Sequence, residues 1–506
     1  MVRALGLVTL LGLASRSLCS PVSEPNEPDP SLAISVQLTG RTFINKGLVG
    51  FGLIPSNATE STGDTIGGIG SAIAVKRGTF KQNFDGTFSG TLTVQPDRGF
   101  NVDGTIDYQG RQLDIEFVLK PYYGTANLSF DDGLKTLALT YKRTVLYTER
   151  QGKKSTGLDA LAVRPQTFGF PGLATGDPPL PIPALNATFN RVSLDMEGLV
   201  LNADGTFWMS DEYGPFVYRF EPGGQLIQVI SPPAAILPMV NGKLNFTSVN
   251  DPQTGRAGNQ GFEGLTVSPD GNTLFVLLQS ATIQDGGSGK STSRFTRLLA
   301  YDVSHPLPLT PKPTGEWVVP LPLDSKGNTL AQSEMHFISE NIFFVLARDG
   351  DGHGGSSDKS SYKQADLIDI SRATNILGSK FDSPTNPIAI NGTLDKSITP
   401  ALYVPFLSLI NDTQLARFGL HNGKPADQTL IDAKWESLAL APVGDPRFPN
   451  DFFLFTASDN DFLSTQGIFD GQPFNAGIDN DNQFMVYRVT LPTVAPGSVQ
   501  EAIGIF

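Results

Sequence analysis

Cysteine is almost absent: the 506 residues contain one, Cys19, so the chain cannot close a disulfide on itself. Histidine is nearly as scarce, and the four at positions 305, 336, 353 and 421 are too scattered to form a zinc signature. Charged residues make up only 17% and methionines number 6, which argues against long helices carrying paired surface charges. Basic stripes are missing too. With 37 Lys and Arg against 50 Asp and Glu the net charge is −13. A surface that coats nucleic acid is thereby excluded, whereas a small anion held through bound cations is not. No Gly-Xaa-Ser-Xaa-Gly elbow and no His-Glu-Xaa-Xaa-His occurs, and GSGKST at 287–292 lacks the first glycine of a phosphate loop, with Gln284 in its place. These absences direct any catalysis toward carboxylate or metal-assisted chemistry.

Long apolar runs are also missing. The run Ala4 to Ala14 behind Arg3 is too short to span a bilayer, and Ser17 and Cys19 fit the −3 and −1 positions of a cleavage site. Residues 1–19 are therefore predicted to be a signal peptide, whose removal takes away the one cysteine. Six sequons agree with export: Asn57, Asn127, Asn186, Asn245, Asn391 and Asn411. The expectation is a secreted, extracellular, N-glycosylated monomer with neither a membrane nor a nucleic acid as partner.

What the chain has in quantity is turn-formers, with 53 Gly and 37 Pro, alongside 39% hydrophobic residues. That balance fits many short strands. After a Pro- and acid-rich leader at 20–33, residues 34–506 read as one domain. Residues 194–231 parse into four strands separated by Asp204-Gly205, Gly214-Pro215 and Pro222-Gly223-Gly224. The unit recurs from 261, from 334 and from 435, and more weakly from 67. Repetition of a four-stranded unit predicts an all-β fold, a β-propeller of six or seven blades. Strand material at Ile34 to Leu38 is expected to complete the last blade, pairing the two ends of the chain and removing an open edge. Two β-sandwiches in series would satisfy the same pattern.

In a propeller the innermost strand of each blade faces the central channel. Glu197, Glu263, Glu334 and Glu436 each open such a strand, so Glu197, Glu263 and Glu436 are the candidate catalytic carboxylates. Ends of the following strands add Asp211, Glu212, Asp349, Asp351, Asp459 and Asp461. Crowded carboxylates repel, and a hard cation with oxygen ligands, Ca²⁺, relieves the repulsion. Asp211, Glu212, Asp349, Asp459 and Asp461 are the metal-ligand candidates. Arg348 and Arg256 are the candidates for gripping an anionic substrate.

Three segments, DMEGLVLNADGTFWMSDEYGPFVYRFEPGG, RAGNQGFEGLTVSPDGNTL and WESLALAPVGDPRFPNDFFLFTASDNDF, resemble the phytase-like, or esterase-like activity of phytase, family over roughly residues 150–495. The resemblance implies an acid-rich propeller with a phosphoester-hydrolase role. It carries over to Glu197, Asp211, Glu212, Asn259, Glu263, Arg348, Asp349, Glu436, Asp459 and Asp461, and it adds Asn259 to the substrate-binding set. Two departures stand out: Gln279 sits where an acid is expected, and Met335-His336 replaces Gly-Leu in the third copy, so not every blade supplies a ligand. The leading expectation is a metal-dependent hydrolase of small anionic esters, phosphoesters first. A metal-dependent lactonase and a non-catalytic extracellular binding propeller are the alternatives.

Overall fold

A computed structural model describes residues 26–99, 104–168, 176–305 and 309–505. Local turn chemistry builds its hairpins. At the first turn of the clearest repeat, Gly205 takes φ +83° while the Asp204 side chain accepts the Thr206 N–H at 3.0 Å, and Met196–Leu201 folds back onto Phe207–Asp211. Val217–Phe220 and Leu226–Ile230 complete that antiparallel sheet.

Five such sheets are present among the described residues. The first runs outward through Ala72–Val75, Phe88–Gln95, Arg111–Leu119 and Leu137–Leu146, and the second is the sheet just given. The third comprises Phe262–Val267, Thr273–Leu278, Phe295–Asp302 and Lys312–Pro320, and the fourth Gln332–Ser339, Ile342–Arg348, Lys363–Asp369 and Leu402–Ser408. The fifth takes Lys434–Pro442, Asp451–Asp459 and Asn482–Thr490 from the end of the chain, then Arg41–Ile54 and Ile34–Leu38 from its beginning. Innermost strands neighbour one another in that order, and Lys434–Pro442 also touches Ala72–Val75. This is a β-propeller.

Packing follows from the alternation along each strand, which buries side chains on both faces of a sheet. Leu265, Val276 and Leu299 of the third sheet meet Val200, Trp208 and Val217 of the second. The other face of the third sheet, with Phe275 and Leu277, packs on Met335, Phe343 and Val345 of the fourth. Apolar layers of the same kind separate fourth from fifth, fifth from first and first from second. The recurring Glu-Gly-Leu has a steric cause: a Cβ on Gly198 would come within 2.4 Å of Leu265, and one on Gly264 within 2.7 Å of the Met335 nitrogen.

Two expectations are corrected. Five sheets replace the six or seven blades, because the long connections form small hairpins such as Ala162–Arg164 with Leu180–Ile182 and Ala389–Ile390 with Thr393–Leu394 rather than blades. The strand beside Asn482–Thr490 is Arg41–Ile54, paired from Ile44 opposite Thr490 to Ile54 opposite Asn482, and Ile34–Leu38 lies outside it as a fifth strand. The longer segment wins because its middle, Leu48 to Gly52, is buried on both faces.

The expected signal peptide, 1–19, lies outside the described residues. Of the leader, 26–33 are described: Glu27 pairs with Lys46 at 2.9 Å, and the Asn26 carbonyl accepts from Arg488 at 2.7 Å. No helix among the described residues is long and apolar enough to cross a membrane. At one end of the channel Leu199, Leu265, His336 and Leu438 line a cavity of about 90 Å3 against Val499 and Ile503 of the C-terminal segment. Carboxylates gather toward the starts of the inner strands.

Candidate functional site

Each inner-strand glutamate sits where the strand's pairing slips. The register shifts between Met196 and Leu199, between Phe262 and Leu265, between Gln332 and Glu334, and between Trp435 and Ser437. Such bulges re-aim a side chain out of the ladder. Glu197, Glu263 and Glu436 thereby come close enough to act on one another's ionisation, and Glu212 and Asp195 join them. All are buried, with Glu197 and Glu436 5% and Glu263 4% exposed. Glu334 behaves differently: its carboxylate accepts the backbone N–H groups of Met335 (2.7 Å) and Leu265 (3.1 Å) and so ties the third and fourth sheets together.

Three cations divide the acids among themselves. Lys434 Nζ lies 2.7 Å from both Asp459 and Asp461 and 3.8 Å from Glu436. Arg348 donates Nη2 to Glu436 and leaves its buried Nε without a partner. Arg98 reaches Asp195 at 3.0 Å and also donates to Asn259. Burial opposes the ionisation of Glu436 and Asp461, yet Lys434 and Arg348 outweigh it and hold both carboxyls below the ordinary range. Glu263 is the opposite case. Burial and the neighbouring Glu436 charge push it up to about 8, against a hydrogen bond from Gln279. Asp459 is raised to about 7, chiefly by burial. Burial and then the charge of Glu263 hold Glu197 and Glu212 well above their usual range.

The rim is built from unusual backbone. Asn259, Asp461 and Phe462 all take positive φ, between +49° and +55°. Side chains rarely adopt this conformation without tertiary support, and it recurs at functional sites. Asn460 supplies that support by accepting the N–H groups of Gly68 (2.9 Å) and Phe462 (3.0 Å).

The structure therefore brings together Glu197, Glu263, Glu436, Glu212, Asp459, Asp461, Arg348 and, at the rim, Asn259. It assigns three other candidates elsewhere. Asp211 is fully buried and accepts the backbone N–H groups of Asp195 (2.6 Å) and Gly214 (2.9 Å), so it shapes the loop that carries Asp195. Asp349 spends its oxygens on Ser360, Ser361, Tyr362 and Lys363. Arg256, expected to grip substrate, is buried with its guanidinium on the carbonyls of Tyr213, Phe246, Thr247 and Ala257. Asp97, Arg98, Asp195 and Lys434 join the site without having been expected. Two had a signal in the sequence, since Asp195 and Lys434 each precede a repeated glutamate by two residues.

Two trios of carboxylates, Asp97 with Asp459 and Asp461, and Asp195 with Glu197 and Glu212, place one oxygen each within 4.8 Å of the others. Oxygen donors in such sets suit a hard divalent cation. Arg348 also lines a cavity of about 460 Å3, together with Lys290, Lys326, Asp324, Asp349 and Asp351. Of the sequons, Asn57, Asn127, Asn186 and Asn391 are exposed, while Asn245 and Asn411 are half-buried.

The chain is 38% identical over 498 residues to a protein of Arthroderma benhamiae named "Uncharacterized secreted protein", covering 91% of this chain and 96% of that one. Among solved structures, an N-acetylgalactosamine deacetylase from F. plautii in complex with blood group B trisaccharide matches with TM-score 0.34 and 10% identity, over 91% of this chain and 96% of that one. A luciferin-regenerating enzyme matches with TM-score 0.25 and 11% identity, over 82% and 92%. Both likenesses are too distant to carry an activity across. The family profile "Phytase-like: Esterase-like activity of phytase" matches residues 84–462. With most of its propeller inside that match, the chain belongs to the phytase-like family.

Proposed function

We propose that this is a secreted ester hydrolase acting on small anionic esters, phosphoesters first, with its chemistry run by the carboxylates at the acidic end of the channel. The observation that carries the reading is the opposed state of two neighbouring carboxyls. Glu263 holds its proton to about pH 8, while Lys434 and Arg348 keep Glu436 ionised against its own burial. A protonated carboxyl beside an ionised one supplies an acid and a base at the same pH. In hydrolysis Glu436 takes a proton from the attacking water, and Glu263 gives its proton to the oxygen of the departing alcohol. Exchange with solvent then restores both groups. Lys434 and Arg348 offset the charge that develops on the ester oxygens. The cavity beside Arg348 has room for a small substrate, and its wall sets Arg348, Lys290 and Lys326 against Asp324, Asp349 and Asp351. A hard divalent cation on the remaining carboxylates would add Lewis-acid polarisation of the ester oxygen.

Export rests on the signal-like N-terminus, the sequons and the secreted relative. Glycosidase treatment of the protein recovered from culture medium is expected to lower its apparent mass. The activity is tested by incubating that protein with phosphomonoesters, phytate, carboxylic esters and lactones, with and without chelator. Phosphate release that chelator lowers supports the reading. Lactone opening without phosphate release would move the assignment to a lactonase, and no turnover on any of the panel to a binding propeller.

A further inference from the structure

We propose, resting on the same carboxylate site that the hydrolase reading uses, that the acidic end of the channel holds one divalent cation on Asp195, Glu197 and Glu212, and that Lys434 takes the place of a second on Asp97, Asp459 and Asp461. The two trios are alike in donor type and spacing. They differ in what already sits on them. Lys434 Nζ, 2.7 Å from Asp459 and 2.7 Å from Asp461, puts a positive charge on the first trio.

The trio of Asp195, Glu197 and Glu212 has no ammonium among the described residues. Its only cation contact among the described residues is Arg98 Nη1, which reaches Asp195 alone at 3.0 Å. Among the described residues the Glu197 carboxylate accepts no hydrogen bond, and Glu212 Oε1 is buried without a partner in a residue 2% exposed. Buried carboxylate oxygens without donors are costly to leave bare. A cation that takes roughly six to eight oxygens uses these free positions together. All the donors are oxygen, so the class is a hard ion of the Ca²⁺ or Mg²⁺ kind.

The division of labour predicts a stoichiometry. Chelator-treated protein from culture medium is titrated with CaCl2 by calorimetry, and each variant is melted with and without Ca²⁺ to show that it folds. The unaltered chain is expected to bind one Ca²⁺, and Glu212→Gln to bind it about 10-fold more weakly or worse. Lys434→Gln, which keeps length but removes the charge, is expected to bind two, and the double variant Lys434→Gln with Asp459→Asn to bind one again. If Glu212→Gln does not fold, Glu197→Gln must show the same weakening. No bound Ca²⁺ in the unaltered chain, two bound, unchanged affinity in the glutamate variant, or a single site in Lys434→Gln would each overturn the inference. Hydrolysis is read separately: turnover indifferent to chelator with no ion bound sinks the cation and spares the hydrolase, and one ion bound without turnover does the reverse.

Discussion

Glu263 and Glu436 are the same residue type on inner strands of different sheets, and their surroundings give them opposite tasks. Glu436 faces two cations and stays ionised, whereas Glu263 has Gln279 as its hydrogen-bond donor and keeps a proton to about pH 8. The arginines divide in the same way. Arg348 touches the acid cluster, while Arg256 holds a loop together through four carbonyls. Arg256→Met is therefore expected to cost about 3 kcal/mol of stability, because it leaves buried carbonyls without their donor, and to leave KM unchanged in the protein that still folds; urea unfolding and steady-state kinetics check the two parts. The glutamates were legible in the sequence because each opens a repeated strand. Of their cations Arg348 was legible too, at the end of a following strand, but the acids that Lys434 pairs with were not. Lys434 finds Asp459 only after the hairpin between them has closed, and Asp97 arrives from the first sheet, so neither partnership leaves a local pattern.

At the scale of the element, the inner strand has to approach its neighbour closely, aim a glutamate and present a leucine to the core. Gly264 makes the approach possible, and a Cβ there meets the Met335 backbone at 2.7 Å. Gly264→Val is expected to destabilise the fold by about 3 kcal/mol through overpacking, read as a lower urea midpoint with an unchanged slope. Strand positions and hairpins were readable from turn chemistry, as at Asp204-Gly205 and Pro222-Gly223-Gly224. The number of sheets was not, because length alone does not distinguish a connection such as 371–401, between Lys363–Asp369 and Leu402–Ser408, from a further blade. Nor does strand propensity choose between Ile34–Leu38 and Arg41–Ile54 as the partner of Asn482–Thr490, since that pairing bridges more than 400 residues of chain and is decided by burial after assembly.

For the whole molecule, concentrating acids around one axis makes stability depend on pH. Folding raises Glu263 from 4.5 to about 8 and Asp459 from 3.8 to about 7, burial being the first cause in each. A carboxyl raised by folding holds its proton more tightly in the folded chain. Its stabilising contribution is complete below the unfolded value and is lost as the pH climbs through the folded one. The melting temperature without added cations is thus expected to fall between about pH 4.5 and pH 8. Ca²⁺ is expected to restore part of the loss at pH 8, and scanning calorimetry over that range reads both effects. Stability that rises steadily from pH 5 to pH 8 in chelator would contradict this account of the acid cluster.

The most direct measurement is kcat/KM on a phosphomonoester for Glu263→Gln beside the unaltered protein, each with its melting temperature. Removing the carboxyl proposed as the proton donor is expected to lower kcat/KM by about 100-fold or more, with the melting temperature held or raised. Turnover within a few-fold of the unaltered protein, in a variant that melts as it does, would show that the ring of carboxylates is not where the chemistry happens.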